Sequence, residues 1–176
     1  APGHGIEYAT IGGRNDLLHA NEIGGTPCIP KEVRPNHLGM ADRIFLLDVT
    51  DPKDPQKAGE IMLADSEFEN CGPDQAWGGP STAYHAVDDP TDTHYGVLGF
   101  ANAGWRIFDL RDVNKITEVA YFNHGVAAHT RPYVNPETGH IWASSGGSFF
   151  VLDLQDDVKA TLGLRRTGKP ERTHGH

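Results

Sequence analysis

Cysteine is almost missing from this 176-residue chain, which carries two, Cys28 and Cys71. With no CxxC pair they are too few for a zinc knuckle or a redox dithiol, and a disulfide is their simplest use. Long apolar runs are missing too. No stretch approaches the roughly 18 consecutive apolar residues of a membrane span, and no Lys/Arg-rich amphipathic segment suggests a surface anchor. Basic charge is scarce: 15 Lys and Arg against 24 Asp and Glu leave a formal net charge of -9. Such a field repels the phosphate backbone that drives nucleic-acid affinity, so nucleic acid is not an expected partner. There is no GxSxG nucleophile elbow, no Walker-type phosphate loop and no GxGxxG leading into a helix. Acyl transfer by that elbow, P-loop NTP hydrolysis and Rossmann-type dinucleotide binding thereby lose their usual support.

What is present points to strands and turns. The chain has 21 Gly and 12 Pro with 38% hydrophobic residues, a balance that favours a turn-rich, all-β protein over a helical bundle or a disordered tail. It is long enough to bury one real core. Because it starts at Ala1-Pro2-Gly3 rather than Met, a processed or partial chain is expected.

An internal repeat organises the sequence. Three apolar runs end in one acidic signature: RIFLLDVTDP (43–52), WRIFDLRDV (105–113) and FFVLDLQDD (149–157). Each holds Asp-x-x-Asp, pairing Asp48 with Asp51, Asp109 with Asp112 and Asp153 with Asp156. Asp109 and Asp153 are 44 residues apart, and so are His85 and His129. Two unrelated residue types keep one register, at the length of a propeller blade of four short strands. The expected fold is therefore an all-β, partial β-propeller of about three four-stranded antiparallel blades. They are placed at about 6–64, 81–124 and 127–166 within a domain over 1–166, with a polar tail at 167–176.

The β-rich runs predict strands at 81–87, 95–101, 105–110 and 117–123 in the second blade, and near 128–134, 140–144, 149–154 and 160–164 in the third. The third strand of each blade is apolar on nearly every residue, as a strand packed on both faces requires. The paired aspartates have a local role as structural turn residues: a side-chain oxygen accepts the backbone N–H two residues on and starts the next hairpin. The first blade is less regular. Asp48 and Asp109 are 61 apart, and TPCIPKEVRPNHLGM (26–40) interrupts it between its second and third strands. Cys28 lies in that insertion and Cys71 in a later one, ENCGPDQAWGG, so a Cys28–Cys71 disulfide is expected to staple the two loops, the alternative being two free buried thiols. Such a bridge would contribute on the order of 3 to 4 kcal/mol and imply an oxidising compartment.

The signature GxRIFDLxD at 104–112, followed by ITEVAYF at 116–122, resembles the LVIVD repeat of secreted and periplasmic β-propellers. The resemblance runs over roughly 42–164. It implies a propeller fold and an extracytoplasmic location (secreted, cell surface or periplasmic) but no activity. Members of such families close six to eight blades. The resemblance therefore implies that a three-blade arc with two open flanks is completed by further blades, on a longer precursor, another chain or a symmetry copy. The polar, repeat-free tail favours the C-terminal part of a larger propeller.

Ten histidines are the one hint of chemistry. His85 and His129 occupy matching positions in the expected innermost strands, where alternate side chains face the central channel. Imidazoles converging there can bind Cu, Zn or Fe, as in the copper-containing methanethiol oxidase and selenium-binding propellers, which a His-lined channel resembles. Equally, they can hydrogen-bond backbone carbonyls or water at the channel mouth. His19 is a third candidate ligand, although Ala20-Asn21 matches Ala101-Asn102, which would put it on a second strand. Asp65, Glu67 and Glu69, with Asp74 nearby, suit either a calcium site or a solvated loop. His94 and His140 are expected at exposed turns, His174 and His176 in a solvated tail, and Trp105 and Trp142 in the core. Trp77 either caps a blade edge or belongs to a binding face. Two functions stand open: a binding or assembly module, and a metal-dependent oxidoreductase with a His-lined site at the channel.

Overall fold

A computed structural model describes residues 5–21, 43–64, 81–101, 103–123, 128, 130–145 and 147–164. Among these described residues, eleven strands and one short helix follow one another along the chain. The strands are β1 (Gly5–Ile11), β2 (Arg14–Asn21), β3 (Arg43–Asp48), β4 (Gln56–Ile61), β5 (Ser81–Val87), β6 (Tyr95–Ala101), β7 (Gly104–Asp109), β8 (Thr117–Phe122), β9 (Tyr133–Val134), β10 (Ile141–Ser145) and β11 (Ser148–Leu152). The helix, α1, spans Asp156–Thr161. The strands form three antiparallel sheets in chain order: β1-β2-β3-β4, β5-β6-β7-β8, and a three-stranded β9-β10-β11. No helix among the described residues is long and apolar enough to cross a membrane.

The sheets stack face to face, and the period-2 alternation of each strand supplies both faces. Ala9, Leu18, Ala20, Ile44, Leu46 and Ile61 of the first sheet pack against Leu98, Phe100 and Phe108 of the second. The other face of the second sheet carries Tyr95, Val97, Trp105 and Ile107, which pack against Val134, Ile141 and Ala143 of the third. β7 is therefore buried on both sides. Trp105 is at 0% exposure and lies 6.1 Å from Phe122 and 5.6 Å from Phe150, ring centroid to ring centroid. The edge between β7 and β8 requires Gly104: its φ is +77°, and a Cβ there would lie 2.2 Å from the Phe122 carbonyl oxygen.

Four acidic side chains shape the hairpin entries. Asp48 Oδ1 accepts from Thr50 N (2.9 Å), Asp51 Oδ1 from Lys53 N (2.9 Å), Asp109 Oδ1 from Arg111 N (3.1 Å) and Asp112 Oδ1 from Asn114 N (3.0 Å). The third copy departs from this pattern. Asp153 is ion-paired with Lys159 at 2.7 Å, and Asp156 opens α1 rather than a hairpin.

The strand expected near 160–164 is thus corrected to a helix and its cap. Asp156 and Asp157 occupy the first turn and Lys159 the last, which complements the helix dipole. Leu162 is fully buried and Val158, four residues earlier, packs on the same core. Gly163 (φ +71°) and Leu164 send their N–H groups to Ala160 and Lys159 carbonyls, closing the helix with a Schellman motif. β11 is left at the edge of its sheet. A groove of about 1030 Å³, lined by Val119, Phe122, Val151, Leu152, Asp157 and Val158, runs between it and β8.

Two smaller corrections concern the same sheet. The first strand expected over 128–134 pairs only at Tyr133–Val134. Pro132 has no N–H to give a ladder, and the Thr130 hydroxyl meets the Ser144 backbone in its place, accepting from Ser144 N at 3.3 Å. Trp142, expected in the core, is 40% exposed, because it points to the face of the sheet that no other sheet covers among the described residues.

Candidate functional site

The first strand of each sheet converges on one junction. β5 packs against β1, β2 and β9, and Thr93 N donates to the Thr10 carbonyl (2.8 Å) while Thr10 N donates to Thr93 Oγ1 (3.2 Å). This reciprocal pair locks the loop after β5 onto β1. Across the same junction Arg131, just before β9, forms an ion pair with Glu7 of β1. Burial pushes the Glu7 carboxyl above its usual range, and the guanidinium opposes that rise. Both residues line a cavity of about 590 Å³, together with Val87, Asp88, Tyr133 and Pro136.

His85 lies beside this junction, in β5, at 3% exposure. The β5–β6 ladder shifts register between Thr82 and His85, and His85 Nε2 lies 3.1 Å from the Leu18 carbonyl of β2. A carbonyl only accepts, so Nε2 carries the proton and Nδ1 is left with a bare lone pair. Nδ1 is buried and has no hydrogen-bond partner among the described residues. Gly5 leaves space for the ring, since a Cβ there would lie 3.2 Å from His85 Cε1. Burial lowers the His85 pKa to about 4; the hydrogen bond to the Leu18 carbonyl opposes this, and Arg131 and His19 add smaller contributions in the direction of burial. The imidazole is therefore neutral at physiological pH.

His19 is on β2, the second strand, between Ile6 and Phe45 in the ladder. It sits on the opposite face of the first sheet from Leu18. His129 lies outside the described residues, as do Cys28, Cys71, Asp65, Glu67, Glu69, Asp74, Trp77, His174 and His176. Among the described residues no three His, Cys, Asp or Glu side chains gather in a way that would hold a metal ion. Of the expected ligands, the structure places one, His85, at the junction of the first strands.

His94 and His140 are half-buried rather than exposed. His94 Nδ1 is 3.3 Å from Asp88 Oδ2, and Asp88 Oδ1 accepts from His94 N and Tyr95 N. Asp88 is itself buried enough that its carboxyl is pushed up, although these N–H groups and His94 pull the other way. Asp89 holds the same turn by accepting from Thr91 N at 2.7 Å. Sequence reasoning missed Glu7 and Arg131 altogether, because 124 residues separate them and neither stands in a repeat landmark.

The sheet flanks form the other candidate site. On the third sheet Tyr133, Trp142 and Val151 form one cross-strand row, with Phe149 beside it. Their exposures run from 40% to 66%, and Trp142 lies 5.7 Å from Tyr133 and 6.4 Å from Phe149 between ring centroids. On the first sheet Ile6, His19 and Phe45 form one row and Tyr8, Leu17 and Leu47 another. Ile6 is 63% and Tyr8 44% exposed. No family model matches the sequence, and no curated protein matches it either.

Proposed function

We propose that the chain is an arc of an extracytoplasmic β-propeller and works as a binding and assembly module, completed by further blades or chains. The observation that carries this reading is the pair of apolar flanks, one at each end of the stack of sheets. Contiguous exposed aromatic and aliphatic surface of this kind marks a contact site on a soluble protein. The face-to-face stacking of two four-stranded sheets and a three-stranded one supports the propeller geometry. Resemblance to the LVIVD repeat supports the compartment. Fluorescence of an apolar-surface dye tests the reading. Bright binding by the chain diluted until it is monomeric, quenched when Tyr8→Lys and Trp142→Lys are introduced together, is the expected result. A chain that neither binds dye nor associates with anything refutes it.

A second reading, a metal-dependent oxidoreductase with a His-lined site at the channel, draws on His85. Its Nε2–H is anchored on a backbone carbonyl and its Nδ1 is bare, which is how metal-ligating histidines are commonly held. The described residues supply this one donor and no cluster around it, so the remaining ligands would come from His129 or from other blades. Stoichiometric Cu, Zn or Fe in natively purified protein, lost in His85→Gln, is what this reading requires; natively purified protein without it drops the reading.

A further inference from the structure

We infer that the partner covering both flanks is a second copy of this chain, docked head to tail so that two chains close one ring. This rests on the assembly reading above and names its partner.

Counting back from the aspartate that ends each third strand puts the sheets in register. Four and two residues before Asp48, Asp109 and Asp153 stand Ile44 and Leu46, Trp105 and Ile107, and Phe149 and Val151. Ile44 and Leu46 face the second sheet, and Trp105 and Ile107 face the third. Phe149 and Val151, on the equivalent face, are 66% and 58% exposed. Three residues and one residue before the same aspartates stand Phe45 and Leu47, Arg106 and Phe108, and Phe150 and Leu152. Phe108 receives the first sheet, and Phe150 and Leu152 receive the second. No sheet packs on Phe45 and Leu47 among the described residues; the Lys57 ammonium of the same sheet lies 5.3 Å from the Phe45 ring centroid.

Each junction therefore joins a front face to a back face. Among the described residues the third sheet ends the stack with an unused front and the first sheet with an unused back. A body that covers the front of the third sheet in the same manner must offer a back face of this type, and the first sheet of another copy offers one. The contact continues an interface already made twice within the chain. Such front-to-back contacts are heterologous, and they close only if the rotation completes a ring. Propellers close with about 4 to 8 blades. Two copies of the three sheets that the described residues form fall inside that range and three copies exceed it.

Light scattering on the purified full chain tests the inference. The expected mass is twice the 19.1 kDa of one chain. Phe149→Lys/Val151→Lys removes the front contact and Ile6→Lys/Tyr8→Lys the back contact; all four side chains are exposed, and circular dichroism checks that the sheets persist. Each variant alone is expected to be a monomer, whereas an equimolar mixture recovers a one-to-one dimer through its single intact contact. A monomer of 19.1 kDa that binds the apolar-surface dye overturns the second copy but leaves the assembly reading standing. A monomer that binds no dye overturns both. Dimerisation of either variant by itself overturns the head-to-tail arrangement.

Discussion

His85 donates its Nε2–H to the Leu18 carbonyl across 3.1 Å, so the first strand of one sheet is pinned to the second strand of another. The bond is made by a neutral imidazole in a buried site. Protonating it places a charge where only one of two nitrogens has a partner.

Burial sets the sign of the pH dependence. The pKa is about 4 in the folded chain against 6.5 ordinarily, so between these values the unfolded chain binds the extra proton. His85 therefore stabilises the fold fully above pH 6.5, and its contribution is lost as pH falls toward 4, on the order of 3 kcal/mol in all. Urea titrations at pH 7 and pH 4.5 should show His85→Gln losing less stability on acidification than the native chain. Equal losses would mean that His85 does not titrate with folding.

Gly104 and two other glycines separate strain from collision. Gly104→Ala combines a left-handed φ with backbone 2.2 Å from the new Cβ, and a loss of about 2 kcal/mol or more is expected. Gly139 and Gly147 have similar φ values but nothing within 4 Å of a Cβ. Their alanine variants should lose about 1 kcal/mol. Thermal melts of the three variants check the order.

Trp105 has a buried Nε1–H with no hydrogen-bond partner among the described residues. Trp105→Phe removes that cost along with some packing, so a net change within about 1.5 kcal/mol is expected. Trp105→Ala opens a cavity between the second and third sheets and should cost about 3–5 kcal/mol. Both variants lack the Nε1–H, so if they melt together the packing of an aromatic ring at this site carries no weight.

Leu162 anchors α1 on the core at 0% exposure. Leu162→Ala should cost about 2–4 kcal/mol, while Ala160→Ser on the exposed side of the helix should change stability by less than about 0.5 kcal/mol. Comparable losses at both positions would contradict the helix, because a strand over 160–164 would put them on the same face.

The strands of the second sheet are legible in the sequence because every local signal agrees there. Apolar runs at 95–101 and 104–109 are bounded by Asp, Pro and Gly turns, and the aspartates at 109 and 112 shape the turn into β8. Residues 160–164 read as a strand after the acidic run 153–159 only because the 44-residue register outweighs the local signals of a helix. Those signals are acids at 156 and 157, the Val158–Leu162 spacing, and Gly163 at the end. Trp142 is misplaced in the core because alternation tells which residues share a face, not whether anything lies against it.

Sequence by itself determined the repeat, the strands of the second sheet and the apolar character of the third strands, because apolar runs and the turn residues that bound them are local properties of the chain. It also determined which faces are equivalent, through the distance of each residue from its terminal aspartate. Only the tertiary structure decided that Glu7 meets Arg131, that His85 meets Leu18, and that the outer faces of the first and third sheets are left without a neighbour among the described residues. Those outcomes depend on how whole sheets stack, and stacking is a property of surfaces that the linear order of residues does not bring together.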